Sequence, residues 1–227
     1  MGMQVAEAVA ARRSVRGFVD TPVAVDMLRE LARAAARAPS GGNLQPWHVH
    51  IVAGGAMVRL KAAMAGKLLR GDVEIAEYAV YPDGLGEPYS ARRSDVGEAL
   101  YARLGIPRAD RQARRRWFAE NFRFFGAPAA YFCSVDRGMG PPQWSDLGMY
   151  LQTLMLLAVD AGLATCPQEC WALYPDTIGR LLELPEGRML FCGVAIGVED
   201  TQAPANALRS ERAPVEEWLS VVADGEG

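Results

Sequence analysis

Histidine and cysteine are scarce in this chain. Two histidines, His48 and His50, and four cysteines, Cys133, Cys166, Cys170 and Cys192, occur among 227 residues. No convincing Ser-His-Asp or Cys-His set can be assembled from them, so no side chain is assigned a catalytic role as nucleophile or base. The cysteines are too sparse for a disulfide scaffold and suit a reducing cytoplasm. Cys166 and Cys170 lack the second pair that a zinc site needs, and inert buried thiols are the default reading. His48 and His50 share one face of a predicted strand. No third ligand is evident beside them, so no metal is expected.

Long apolar runs are missing too. The most apolar stretch, Leu147 to Val159, is too short to cross a bilayer and contains Gln152 and Thr153. The first residues carry no basic segment leading into an apolar one, and Ala6 breaks the myristoylation pattern, so neither secretion nor a lipid anchor is expected. Charge of one sign is not in excess: 24 Lys and Arg against 27 Asp and Glu leave a net charge of −3. That balance gives no general attraction to nucleic acid or anionic membrane. Internal repeats, low-complexity segments and a Rossmann-type glycine signature are also lacking.

What is present is an ordinary globular composition, 50% apolar and 22% charged. A single domain over residues 1–227 is expected. The patterning predicts helices over 3–12, 26–37 and 56–69, near 95–104, over 108–122 and over 144–162. The helix at 144–162 is apolar on most sides and is expected to be buried on most of them. Strands are predicted over 47–52, 130–135 and 190–198. Residues 70–93, rich in Pro and Gly after Tyr81, are expected to form a lid. Residues 199–227 form an irregular tail with a short helix near 214–222. Helices interleaved with strands in this way indicate an α+β layer fold.

Four constellations stand out. Arg12-Arg13-Ser14-Val15-Arg16 groups three guanidinium forks and a hydroxyl into an anion cradle. Pro39-Ser40-Gly41-Gly42-Asn43-Leu44-Gln45-Pro46-Trp47 is a stiff loop whose glycines admit close approach of a ligand to the backbone. Thr165-Cys166-Pro167-Gln168-Glu169-Cys170-Trp171 follows an apolar helix. Asn206 to Pro214 carries Arg209 and Arg212, a second source of cations. Each has a plainer alternative: a solvated helix end, a helix-to-strand turn, buried thiols, a charged tail.

In this order, the motifs resemble those of the FMN-dependent nitroreductase family over nearly the whole chain. Further matches are Asn121-Phe122-x-Phe124-Phe125-Gly126-Ala127-Pro128, the block opening Asp146-Leu147-Gly148-Met149, and Gly193-x-Ala195-x-Gly197. The resemblance implies a mixed central sheet flanked by helices, and an intertwined homodimer whose C-terminal segments reach the partner and whose FMN sites lie at the interface. By that resemblance Arg12 and Ser14, with Arg13 beside them, would hold the FMN phosphate and ribityl chain, and Arg16 the N1/O2 edge or ribityl chain. Pro39, Ser40, Gly41 and Asn43 would come from the other subunit to line the isoalloxazine. Backbone around Gln168, Glu169 and Cys170 would face N5 and O4, and Arg209 and Arg212 would reach the phosphate from the tail.

The activity implied is ping-pong reduction of nitroaromatics, quinones or similar small acceptors, with NADH or NADPH as donor and hydride passing through flavin N5. The physics agrees: a phosphate dianion needs paired cations when buried, and the flavin carries the hydride chemistry itself. Two other readings stay open at this level, a specialised flavin dehydrogenase or oxidase and a non-catalytic flavin-binding protein. The deiodinase-like lid pattern Glu-x3-Tyr-x3-Lys is not met, because Glu74 and Tyr78 are followed by Pro82. Arg111 and Arg114-Arg115-Arg116 read as a solvated basic helix face rather than a nucleic-acid surface.

Overall fold

The computed structural model describes residues 2–223. Met1 and residues 224–227 of the expected tail lie outside them. Four strands, β1 (His48–Ala53), β2 (Ala129–Asp136), β3 (Ala164–Gln168) and β4 (Arg188–Gly197), form one sheet in the order β1-β2-β4-β3, every pairing antiparallel. The mixed sheet that was expected is thus an antiparallel one. Among the described residues its only parallel pairing is the isolated Ser14–Thr165 bridge at the outer edge of β3.

Helices cover both faces, and the α+β class follows from the side-chain alternation of β2. Ala129, Tyr131, Cys133 and Val135 point to one layer, where they meet α2 (Val25–Ala35) through Leu28, Leu31 and Ala35. The same layer holds α6 (Pro141–Asp160), through Leu147, Tyr150, Leu151, Leu154 and Ala158. Ala130 and Phe132 point to the other layer, onto Met57, Leu60 and Met64 of α3 (Gly54–Arg70). Phe122, Phe124, Trp171 and Ile178 complete that second core. Burial on both faces makes β2 a continuous apolar run. Tyrosine hydroxyls fasten α2 in place: Tyr131 donates to the Leu28 carbonyl at 2.8 Å and Tyr150 to that of Ala32 at 3.2 Å.

Of the remaining helices, α1 (Val5–Ala11) and α5 (Arg111–Ala119) fall where the patterning put them. α4 (Tyr89–Arg103) begins earlier than expected, because Glu87 caps it by accepting the Ala91 N–H at 3.1 Å. Two elements were not anticipated. β3 contains Pro167, which argues against a strand, yet β3 is an edge strand and tolerates a residue without an N–H. α7 (Pro175–Leu182) is capped from far away in sequence: the Glu74 carboxylate accepts the N–H groups of Asp176 and Thr177 at 2.8 and 3.2 Å.

The first part of the expected lid therefore belongs to the body. Lys67 pairs with Glu74 at 2.8 Å, Arg137 with Glu77 at 2.7 Å, and the Tyr78 hydroxyl donates to the Phe191 carbonyl. Within one chain α6 is not buried on most sides. Gly148 and Met149 are exposed, and Gln152, Thr153 and Leu156 are half-buried. The expected tail helix shrinks to one turn, Val215–Glu217.

Candidate functional site

After α1 the chain runs extended along the free edge of β3. The Val15 N–H donates to the Thr165 carbonyl at 2.9 Å, beside the Ser14–Thr165 bridge. Alternation in an extended run separates Arg12, Ser14 and Arg16 from Arg13 and Val15. Val15 is buried in the core, and the Arg13 guanidinium is bound by the Glu199 carboxylate. Arg13 was expected in the cradle, but the pleat turns it away and gives it a partner within the chain. Arg12 and Arg16 form no salt bridge with any described residue.

Residues 166–170 lie beside these cations. Burial pushes the Cys166 thiol up to about 11; the Arg16 and Arg12 cations oppose the rise and the Glu169 carboxylate adds to it. Charges from two segments thus act on one buried sulfur. Gln168 is buried with its side chain fully engaged: Nε2 donates to the Asn121 carbonyl at 2.8 Å, and Oε1 accepts from Trp171 Nε1 at 3.3 Å. Only its backbone is left for a ligand. Glu169 and Cys170 open the 3-10 turn Glu169–Leu173, so their N–H groups have no carbonyl ahead of them in the turn. The Thr165 hydroxyl, next to Ser14, is buried without a hydrogen-bond partner.

The tail enters the same region. The Asn206 side chain accepts the Arg16 N–H at 2.7 Å, and its carbonyl accepts Arg209 Nη1 at 2.8 Å. Arg209 bonds only to backbone carbonyls and meets no described carboxylate. Among the described residues Arg212 bonds only to Ser210 and Glu211, and none ties it to the cradle.

The loop after α2 is well built. Ser40 Oγ accepts the Gln45 N–H at 2.9 Å, and Asn43 Oδ1 accepts Gln45 Nε2 at 3.2 Å. Gly42, Asn43 and Gln45 take left-handed φ of 56°, 57° and 50°, which tightens the turn and aims its backbone outward. The loop is held to α6 by Asp146, 3% exposed, which accepts the Gly41 N–H at 3.2 Å. No hydrogen bond or ion pair among the described residues joins Pro39, Ser40, Gly41 or Asn43 to the cradle.

Sequence reasoning missed three residues that organise this region: Glu199, Asp146 and Asn206. Asp146 and Asn206 head quoted motifs, Asp-Leu-Gly-Met and Asn-x-x-Arg, and that position was the available signal. His48 and His50 lie outside the site, with protonation disfavoured first by burial and then by Arg188. Among the described residues no group of three or more His, Cys, Asp or Glu could hold a metal ion. No helix of the described residues is long and apolar enough to cross a membrane.

A sequence profile described as "Nitroreductase family" matches residues 9–198. The chain is 36% identical over 204 residues to a 4-nitrobenzoate reductase of Pseudomonas putida, covering 90% of this chain and 89% of that one. Its structure superposes with a TM-score of 0.94 on an FMN and NADPH-dependent nitroreductase NfnB from sphigopyxis sp. strain HMH, at 46% identity, covering 98% of this chain and 100% of the other. A second superposition, with a TM-score of 0.91 at 34% identity, is with the FMN-dependent nitroreductase NfnB from Mycobacterium smegmatis in complex with NADPH. It covers 97% of this chain and 99% of that one.

Proposed function

The chain belongs to the nitroreductase family, and on that premise we propose that it is an FMN-dependent oxidoreductase that passes electrons from NAD(P)H to nitroaromatic acceptors. One observation carries the reading. Arg12 and Arg16 flank the segment that lies along the free edge of β3, and Arg209, from the end of the chain, is tied to Asn206, whose side chain accepts the Arg16 N–H; none of the three has a carboxylate partner among the described residues. Uncompensated cations held by a folded backbone call for a polyanion. The phosphate of FMN has the charge to pair with them.

In this reading Arg12, Ser14, Arg16 and Arg209 hold the phosphate and ribityl chain, with Arg212 an outer cation. The N–H groups of Glu169 and Cys170 donate to the polar edge of the ring. FMN held there would supply the hydride chemistry between NAD(P)H and the acceptor, while these residues bind and orient it. In each two-electron turn a nitro group, NAD(P)H and one proton become a nitroso group, NAD(P)⁺ and water. The residues bind and orient; none forms a covalent bond to substrate.

The loop at Pro39, Ser40, Gly41 and Asn43 reaches the ring from a second copy of the chain. A homodimer with sites at its interface is the arrangement that unites this loop with the cradle. All four cysteines are free thiols, and the cytoplasm, where thiols stay reduced and NAD(P)H is at hand, is the compartment we assign.

An absorbance experiment tests the proposal. The purified protein should be yellow, anaerobic NADPH or NADH should bleach it, and 4-nitrobenzoate should restore the colour. Colourless protein that takes up no FMN ends the reading. Yellow protein that neither nucleotide bleaches is a flavin carrier. Bleached protein that oxygen re-oxidises and nitro compounds do not is an oxidase.

A further inference from the structure

Asn206 lies in a 3-10 turn, Pro204–Ala207, and is 4% exposed. Its amide is almost saturated. Nδ2 donates both hydrogens, to the carbonyls of Gly17 and Asp200, each at 2.8 Å. Oδ1 accepts the Arg16 N–H at 2.7 Å. Two partners are carbonyls and one is an N–H, so a flipped amide would lose all three bonds. Its backbone carbonyl then accepts the Arg209 guanidinium at 2.8 Å. One residue therefore touches the main chain at Arg16 and the side chain of Arg209, at opposite ends of the sequence.

The packing leaves no slack between the two segments. A Cβ on Gly17 would come within 2.4 Å of the Ala203 Cβ and 3.2 Å of Asn206 Nδ2. The Asp200 N–H donates to the Gly17 carbonyl at 3.0 Å, closing a small ring of bonds around the amide. The chemistry also selects asparagine. An aspartate would set a carboxylate oxygen against two carbonyls, where the amide offers hydrogens.

We infer that Asn206 is a positioning residue for the anionic end of the cofactor: it fixes the spacing between Arg16 and Arg209 through their segments. The inference rests on the FMN reading above. A residue acting this way affects ligands that carry the phosphate more than those that lack it. Riboflavin, which has the ring and ribityl chain without the phosphate, is therefore the control.

The test titrates FMN and riboflavin into the full-length protein stripped of flavin, followed by ring fluorescence, with thermal melts of every variant. Asn206→Ala should weaken FMN about 10- to 100-fold, the loss of a well-placed charged contact, and weaken riboflavin, which keeps only the ring and ribityl contacts, far less. Asn206→Asp should weaken FMN more than Asn206→Ala does. In an Arg209→Ala background, Asn206→Ala should have a smaller effect than in the native chain, because one cation it places is gone.

Equal losses for FMN and riboflavin, or effects of Asn206→Ala and Arg209→Ala that multiply, overturn the inference. So does native-strength FMN binding by Asn206→Ala. Should Asn206→Ala fail to fold, Asn206→Ser, which keeps a donor and an acceptor, takes its place with the same criteria. A native protein that binds neither flavin defeats the FMN reading instead.

Discussion

Arg13 and its neighbours have the same chemistry and different fates. Composition ranks Arg12, Arg13 and Arg16 alike, but the pleat sends only the even-numbered residues to the cradle. Arg13 pairs with Glu199 and ties the start of the chain to the end of β4. Arg13→Ala should lower unfolding stability by about 1–3 kcal/mol, the range for a charged hydrogen bond, with FMN affinity nearly unchanged. Arg12→Ala should do the reverse, and denaturant melts beside FMN titrations separate the two. The histidines make a pH prediction. Burial, with Arg188 adding, lowers both, so the fold favours their neutral forms. The unfolded chain takes up protons at about 6.5. Their contribution to stability is therefore complete above that pH and is lost as pH falls below it toward the folded values. Melting temperature should drop across that acid window, and His50→Gln should flatten the slope. An unaltered slope would assign the acid sensitivity to other groups.

At the scale of elements, β4 and the turn after β3 depend on a glycine. A Cβ at Gly193 would sit 2.3 Å from Trp171 Cδ1 and 2.8 Å from its Nε1. Trp171 is fully buried, stacks on Phe124 with centroids 4.7 Å apart, and bonds to Gln168. Gly193→Ala must therefore move Trp171, and with it the Glu169–Cys170 backbone. Overpacking of this kind destabilises by about 1–3 kcal/mol. Here FMN and riboflavin should weaken together, unlike the phosphate-selective loss expected at Asn206. The same elements show what was legible in the sequence. α2 was readable because period and composition agree over its whole length, and β2 because it is a short apolar run of strand-forming residues. β3 was not, because Pro167 contradicts a strand unless one knows that it lies at an edge. α7 was hidden because its cap, Glu74, is supplied by a distant segment. The order of the motifs was enough to propose the ligand. Pairings such as Arg13 with Glu199, or Asp146 with Gly41, are long-range and leave no local pattern.

At the scale of the whole molecule, the proposed homodimer makes a prediction about the single chain's open surface. On the side that α6 leaves uncovered Met149 is exposed among Ser145, Gly148, Gln152 and Thr153, and Val5 and Val9 of α1 are also open. The tail carries Trp218, Leu219, Val221 and Val222, all exposed, with Val222 at 99%. Apolar surface spread in this way marks an interface. The cradle and the Pro39–Asn43 loop, unconnected within one chain, supply an independent reason for a second copy. Sedimentation should therefore give a particle of twice 24.6 kDa. Met149→Arg would set a desolvated charge into that interface unless the copies separate. The variant should sediment as a monomer, keep its circular dichroism, and lose FMN although every cradle arginine is intact. Arg12→Ala should lose FMN and remain a dimer. Those opposite outcomes distinguish a site shared between two chains from one that a single chain completes. A native protein that sediments as a monomer while holding FMN would show that the loop is not needed from a partner.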